Sequence, residues 1–377
     1  ALSVNRSNIG IPPWIGVVPR VYRAPPAGNG RTPGSGCRTH RQPRRQREET
    51  PGEAASGRPS VPSHSVVGVP TSPLSILPSM DDDLVRVEQE LLRTVEADTP
   101  FLTEVASHLI RAGGKRVRPG FAMAAASVLD PDGAPASIDV IRGGCAVELV
   151  HIGSLYHDDV MDSATTRRSV KSVNAEWGNL RAILAGDYLL GRASEIAAAL
   201  GTEVAGLLAT TITELCEGQI LELESADDPD RTIERYERSI RGKTASLLAS
   251  ACRIGALVGE LPRPVVESLT DFGLAYGMAF QVVDDILDVV ATDEELGKPA
   301  GNDLVEGIYT LPVIHSLGDP DTGPELRALL TEPLDDDGRD RARELVRACL
   351  LYTSPSPPDC GPDLVCRRRL GKGGGGG

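Results

Sequence analysis

Two segments of this sequence combine the residue types and the spacing of a divalent-metal site. Residues 158–162 read DDVMD and residues 284–288 read DDILD, so each segment carries three aspartates in the same order. On a helix, the first and last aspartates of each segment lie on one face, because residues i and i+4 are neighbours there. Like charges at this spacing repel by about 0.2–0.5 kcal/mol in water, and more strongly in apolar surroundings.

The residues around the second segment are apolar. Residues 278–283 read MAFQVV before it, and Val289 and Val290 follow it. A solvated helix face is therefore a poor explanation for these carboxylates. Because Mg²⁺ binds a few carboxylates together with phosphate oxygens, the paired segments predict a magnesium site that holds a polyphosphate between them.

The composition indicates which class of partner the protein binds and in which compartment it resides. The net charge is −14 and aromatic residues make up 3% of the chain, which argues against nucleic acid as a partner. Seven cysteines without a C-x-x-C pair indicate reduced thiols, most of them small buried hydrophobes. No apolar run reaches the length of about 18 residues that a transmembrane segment needs. These features predict a soluble, cytoplasmic protein.

The two ends of the chain differ in composition from the middle. Residues 1–79 contain ten arginines and three glutamates, are rich in Pro, Gly and Ser, and lack helical periodicity. We expect a disordered or non-native leader there, with a transit peptide as the alternative. Residues 350–377 are of low complexity and end in a glycine run, which is typical of a non-native tail. Residues 80–349 are therefore the expected domain.

The expected domain has helical patterning nearly throughout. Four alanine-rich stretches are apolar around most of their circumference, as in the central helices of a large bundle: 121–129, 182–209, 244–259 and 274–290. Gly and Pro mark the breaks between helices, and no alternating strand pattern is present. The sequence predicts an all-α fold.

Several motifs together resemble the trans-isoprenyl (polyprenyl) diphosphate synthase family over roughly residues 85–316. Beside the two aspartate segments, the matching segments are GGKRVRP at 113–119, ELVH at 148–151, RR at 167–168, LAGDY at 184–188, GKT at 242–244, FQVV at 280–283 and GK at 297–298. Residues 80–349 contain four lysines, and three of them, Lys115, Lys243 and Lys298, fall within these segments. The resemblance implies an isoprenoid-synthase-type helical bundle around a deep central cavity.

The resemblance also implies a role for each matching residue. The expected direct Mg²⁺ ligands are Asp158, Asp162 and Asp284, and the supporting carboxylates are Asp159, Asp285 and Asp288. The residues expected to bind the allylic diphosphate are Arg167, Lys243 and Lys298. Those expected to form the isopentenyl diphosphate pocket are Lys115, Arg118, His151 and Arg168. The polar groups expected along the path of the allylic cation are Thr244 and Gln281. The resemblance also implies Mg²⁺ as the cofactor, with roughly three ions per active site.

The implied reaction needs no protein nucleophile. The allylic diphosphate ionises with help from Mg²⁺, the double bond of isopentenyl diphosphate attacks the cation, and a proton is lost, in this family to the departing diphosphate. The prenyl tail should run along the helix of the first aspartate segment. Gly153 and Ser154, about one turn before Asp158, are small, so we expect a deep tunnel and a long-chain product, hexaprenyl to decaprenyl.

Other interpretations stay open at this point. Gly113-Gly114 alone fits a turn, Arg167-Arg168 alone fits a solvated helix end, and His151 alone fits a hydrogen-bonded core histidine. A geranylgeranyl or farnesyl diphosphate synthase is the closest rival, whereas a terpene cyclase or a non-catalytic subunit of a heteromeric synthase fits the motifs less well.

Two departures from the family pattern are visible in the sequence. Ile308 stands where family members often carry a lysine, which removes a positive charge. The helical pattern stops at Cys349, where family members usually continue, so we expect a truncated domain. A homodimer is implied by the resemblance.

Overall fold

The structure, a computed structural model, describes residues 77–130, 133–292 and 300–353. In chain order the elements are α1 (Met80–Thr94), α2 (Pro100–Arg111), α3 (Val117–Ala126), α4 (Ile138–Met161), β1 (Thr166–Arg167), β2 (Val170–Lys171), α5 (Val173–Trp177), α6 (Asn179–Leu200), α7 (Thr202–Leu223), α8 (Ile233–Ile240), a π-helical turn (Arg241–Ala245), α9 (Ser246–Val258), α10 (Arg263–Val290), α11 (Asn302–Val305), α12 (Leu311–Gly318), α13 (Gly323–Leu329) and α14 (Asp336–Thr353). The all-α prediction is confirmed.

Helix α4 is the centre of the bundle. The side chain of Ser137 caps its N-terminus by accepting a hydrogen bond from the Val140 amide at 3.2 Å. The helix is buried from Val140 to Val150 except at Arg142, and it packs against α3, α6 and α9. A helix that is apolar on nearly all sides needs neighbours on nearly all sides. Toward its C-terminal end the helix becomes accessible, and Met161 and Asp162 are exposed.

Two details differ from the sequence prediction. Residues 166–171 form a short antiparallel hairpin, in which Arg167 pairs with Val170. Arg168 and Ser169 make its turn in the left-handed region, with φ of 52° and 63°, and such turns match the twist of paired strands. At the other end, α14 continues to Thr353, beyond the predicted stop at Cys349.

No helix within the described ranges is long and apolar enough to cross a membrane. Three of the cysteines in these ranges are buried as expected: Cys145, Cys252 and Cys349.

Candidate active site

Both aspartate segments lie at the C-terminal ends of long helices. The first segment spans the last turn of α4, where Asp162 is the C-cap residue and its amide donates to the Asp158 carbonyl at 2.8 Å. The second segment lies in the last turns of α10, which ends at Val290. The C-terminal end of a helix carries negative partial charge, so carboxylates there are unfavourable without a cation. Both segments therefore have the electrostatics of a cation site.

Asp159 is the buried member of the first segment. Its side chain is fully buried, and its Oδ1 receives Nε of Arg167 at 2.7 Å and Nη2 at 2.6 Å. Its Oδ2 has no hydrogen-bond partner among the described residues. Arg167 thus neutralises one face of the segment, and Asn174 fixes the adjoining loop by donating to the Asp159 carbonyl at 2.9 Å.

Asp158 and Asp162 face Lys243 of the π-helical turn. The pKa of Asp158 is raised to about 6, mainly by burial; Lys243 lowers it and the charge of Asp162 adds to the increase. A pKa raised in this way means that the nearby positive charge does not fully compensate the ionised carboxylate for its burial. A divalent cation between these side chains would supply that charge.

A hydrogen-bonded chain fixes the second segment. Thr244 Oγ1 donates to Gln281 Oε1 at 2.7 Å, and Gln281 Nε2 donates to Asp285 Oδ1 at 2.8 Å. The hydroxyl of Tyr236 donates to Asp285 Oδ2 at 2.5 Å. Burial raises the pKa of Asp285 to about 6, although both donors lower it. The chain connects α8, the π-helical turn and α10, so three elements position one carboxyl group.

The six aspartates fall into two groups. Asp159, Asp285 and Asp288 are buried, and Asp288 Oδ2 accepts the Asp303 amide at 3.3 Å. Within the described ranges, the other three carboxylates have neither a side-chain hydrogen bond nor an ion pair: Asp158, Asp162 and Asp284. This division parallels the supporting and direct ligands that the resemblance implies, while metal ligation itself stays a prediction.

A cavity of about 360 Å³ lies between the two segments. Its lining includes Asp162, Lys243, Thr244, Gln281 and Asp285, so the structure brings together five predicted residues from the two aspartate segments, the GKT motif and the FQVV segment. Charged and hydroxyl groups dominate this lining. Such a cavity suits a polar, charged ligand.

The position of Lys243 depends on residues that the sequence did not reveal. Its Nζ is paired with the carboxylate of Glu222 on α7. Helix α7 comes this close because Gly218 contacts the backbone of Gly242, and a Cβ at Gly218 would lie 2.9 Å from the Gly242 carbonyl carbon. The sequence held no distinctive signal for Tyr236. It held none for Glu222 either, because α7 carries further glutamates: Glu203, Glu214 and Glu217.

A second cluster of cations lies at the start of α3. Arg168 Nη1 donates to the carbonyls of Leu109, at 2.9 Å, and Gly113. Arg118 Nε is buried without a hydrogen-bond partner in the described ranges. Burial and then the charges of Arg118 and Arg168 hold the pKa of His151 well below its usual range. The charges of Arg118 and Arg168 thus act on His151, so these three predicted residues form an electropositive cluster. Lys115, nearby in sequence, is exposed.

Arg116, beside this cluster, has a structural role. It is 3% exposed, and its guanidinium bonds Glu88 Oε1 at 2.5 Å, Glu148 Oε1 at 2.9 Å and the Ile110 carbonyl at 2.9 Å. Its guanidinium thus connects α1, α2 and α4. Gly113, with φ of 85°, makes the turn that precedes it.

Lys298, Gly153 and Ser154 are the predicted residues that remain. Lys298 and Gly297 are outside the described residues. Gly153 contacts α6, since a Cβ there would lie 3.1 Å from the Gly186 carbonyl oxygen. Ser154 Oγ donates to the His151 carbonyl at 2.8 Å. His157 is bonded to α6, at 3.2 Å from the Ile183 carbonyl and 3.3 Å from Asp187 Oδ1.

Comparison with known proteins identifies the family of this chain. The polyprenyl synthetase family model matches residues 99–348. The chain belongs to the polyprenyl synthetase family. This membership confirms the prenyltransferase class and the isoprenoid-synthase-type fold that the sequence motifs predicted.

Three relatives illustrate the range of this family. Heptaprenyl diphosphate synthase component 2 of Geobacillus stearothermophilus is 44% identical over 242 residues, which cover 64% of this chain and 74% of the relative. Nonaprenyl diphosphate synthase of Mycobacterium tuberculosis is 38% identical over 292 residues, covering 76% and 85%. The crystal structure of geranylgeranyl pyrophosphate synthase from Corynebacterium glutamicum, complexed with calcium and isoprenyl diphosphate, matches with a TM-score of 0.63 and 40% identity, covering 74% and 86%.

Proposed function

We propose that this chain is a Mg²⁺-dependent trans-prenyltransferase that condenses isopentenyl diphosphate with an allylic diphosphate. The observation that carries this proposal is the cavity between two carboxylate segments, with Lys243 on its wall. Arg118, His151 and Arg168 form a separate electropositive cluster. Two diphosphate substrates need two sites of positive charge. The family membership and the calcium and isoprenyl diphosphate bound by the Corynebacterium relative support this assignment.

The donor set fits Mg²⁺ shared with a substrate. Within the described residues, no three His, Cys, Asp or Glu side chains converge on one point as a ready cation site. Mg²⁺ commonly keeps waters and phosphate oxygens beside one or two carboxylates, so a complete protein cage is not required. The raised pKa of Asp158 and the unpartnered Oδ2 of Asp159 indicate a site short of positive charge. When bound, the metal would neutralise the charge that develops on the leaving diphosphate.

The residues of the chain then orient and stabilise the reactants. Lys243 donates to the allylic diphosphate and offsets the repulsion between it and the aspartates. Thr244 and Gln281 place fixed dipoles beside the developing allylic cation, since their mutual hydrogen bond holds both side chains. Neutral His151 and the cationic Arg118 and Arg168 hold isopentenyl diphosphate. The proton lost at the end leaves with diphosphate.

We infer that the product is a long-chain polyprenyl diphosphate, hexaprenyl to decaprenyl. The names of the Geobacillus and Mycobacterium relatives support this length, whereas the Corynebacterium relative favours the shorter geranylgeranyl product. Incubation with labelled isopentenyl diphosphate, an allylic primer and Mg²⁺, followed by chromatography of the product, tests activity and length together. A C15 or C20 product would replace the long-chain proposal, and no product at all would refute the prenyltransferase.

Ser154→Phe tests the direction of the prenyl tail. Ser154 lies one turn before Asp158, so an aromatic ring there should block the tunnel and shorten the product by several isoprene units. Ser154→Ala serves as a control, because it removes the hydroxyl but adds no bulk. An unchanged product length in the Phe variant would contradict a tail that runs along α4.

We also infer that the chain acts as a homodimer through α6 and α7. Leu180 and Leu184 on α6 are 71% and 57% exposed, and Ile220 on α7 is 55% exposed. Exposed apolar side chains on neighbouring helices are typical of a subunit interface. The word "component" in the name of the Geobacillus relative raises a heteromeric partner as the alternative.

The domain assignment stays a proposal, with residues 80–349 as the catalytic part. A protein of residues 80–377 should then bind inorganic diphosphate with Mg²⁺ as tightly as the full chain does. A loss of binding would assign a function to the leader. The cytoplasmic location stays a prediction from the cysteine content.

A further inference from the structure

Arg231 is a buried cation that the prediction of the site did not include. It lies just before α8 and is 4% exposed. Nη1 donates to the Tyr309 carbonyl at 3.1 Å, and the guanidinium lies 5.6 Å from the centre of the Tyr236 ring. Nε and Nη2 have no hydrogen-bond partner among the described residues. Burying a charged group with unpaired donors is costly, so this placement points to a ligand.

The ligand space beside Arg231 is the cavity between the aspartate segments. Arg231 lines this cavity, as do five carboxylates: Asp162, Glu222, Asp285, Asp303 and Glu306. Among its described lining residues the cations are Arg231 and Lys243, and Lys243 is paired with Glu222. Arg231 differs from Lys243 in that two of its nitrogen atoms, Nε and Nη2, have no hydrogen-bond partner among the described residues.

The residue at position 308 suggests what Arg231 does in this cavity. Ile308 also lines the cavity, at the position where the family resemblance led us to expect a lysine. The carbonyl that holds Arg231 belongs to Tyr309, the next residue along the chain. The guanidinium is thus anchored beside the position where the expected positive charge is missing.

We propose that Arg231 binds a diphosphate group in this cavity and replaces the charge that a lysine at position 308 would carry. The planar guanidinium can pair with two phosphate oxygens at once. Tyr236 and the Tyr309 carbonyl hold the group from the other side. This inference rests on the proposed function, because it assigns one more contact to the same diphosphate.

The test measures binding of inorganic diphosphate in the presence of Mg²⁺ by isothermal titration calorimetry. Arg231→Leu should weaken binding about 10- to 100-fold, the range for a lost hydrogen bond to a charged group. Arg231→Lys should weaken diphosphate binding less than Arg231→Leu does, because lysine keeps the positive charge but lacks the planar guanidinium. Arg235→Gln on α8 is the matched control, since Arg235 is 38% exposed and lies 3.6 Å from Glu224; its affinity should equal that of the unmodified chain.

A second variant separates ligand binding from a structural role. Arg231→Leu combined with Ile308→Lys should recover most of the lost affinity, because the lysine restores the charge from the neighbouring position. Thermal unfolding without ligand should be little changed by Arg231→Leu, since two of its donor atoms are unpaired. Unchanged diphosphate affinity in Arg231→Leu would overturn the inference, as would a large loss of thermal stability that Ile308→Lys does not rescue. If the unmodified chain itself binds no diphosphate, the proposed function fails instead.

Discussion

His151 shows how one partly buried side chain links the site to stability. Burial and the nearby arginines hold its pKa well below the usual 6.5, so the folded protein keeps it neutral. Above pH 6.5 it is neutral in the unfolded chain as well and contributes no pH dependence. Below pH 6.5 His151 binds a proton in the unfolded chain but stays neutral in the folded protein. Acidification therefore lowers the free energy of unfolding.

We therefore expect His151 to lower the free energy of unfolding by up to about 1.4 kcal/mol per pH unit below pH 6.5. Asp158 and Asp285 act in the opposite direction, because their raised pKa values make the folded state bind protons first. Urea unfolding of the unmodified chain and of His151→Gln at pH 5.0–7.5 isolates the histidine. The difference in free energy of unfolding between the two proteins should change with pH below 6.5. A difference that stays constant would contradict the lowered pKa of His151.

At the scale of elements, the crossing of α7 with the π-helical turn sets the site. Gly218 has no room for a side chain, because a Cβ there would lie 2.8 Å from the Ser239 carbonyl oxygen and would collide with the Lys243 amide. The π-helical turn directs both Lys243 and Thr244 into the cavity. One extra residue in a helical turn changes the direction of the side chains that follow, and π turns are frequent at functional sites.

Gly218→Ala should destabilise the fold by about 1–3 kcal/mol, the usual cost of overpacking, and should displace Lys243. Gly206→Ala is the matched control on the same helix, because nothing lies within 4 Å of a Cβ there; it should be neutral or stabilising by up to about 1 kcal/mol. Chemical unfolding and diphosphate binding measure both effects. Equal behaviour of the two variants would refute a tight crossing.

The helices and the contacts between them differ in how far the sequence predicts them. Apolar periodicity and Gly or Pro breaks are local signals, and they indicated the buried helices around Asp158 and Asp285. The partners of those helices are not local. Glu222 and Lys243 are 21 residues apart, and Tyr236 and Asp285 are 49 residues apart. Motif resemblance identified Lys243 and Asp285, whereas Glu222, Tyr236 and Arg231 became recognisable only when folding brought them to the cavity.

At the scale of the whole molecule, two exposed apolar surfaces compete as subunit interfaces. One runs along α10 through Phe280, Val283 and Leu287, which are 46%, 53% and 40% exposed. It borders Asp284, so a subunit there would crowd the site. The other, on α6 and α7, includes Leu184 and does not involve α10, the helix that carries Asp284. A catalytic dimer therefore favours the α6 and α7 surface.

Leu184→Asp should convert the dimer into monomers, because a charge buried at the centre of an interface cannot be neutralised there. Leu129→Asp is the matched control, since Leu129 is 62% exposed after α3 and lies on neither helix. Size-exclusion chromatography with light scattering gives the mass of each. A dimer that survives Leu184→Asp but dissociates in Leu287→Asp would move the interface to α10. A partner at α10 would border Asp284, so that outcome would also make access to the aspartates depend on the second subunit.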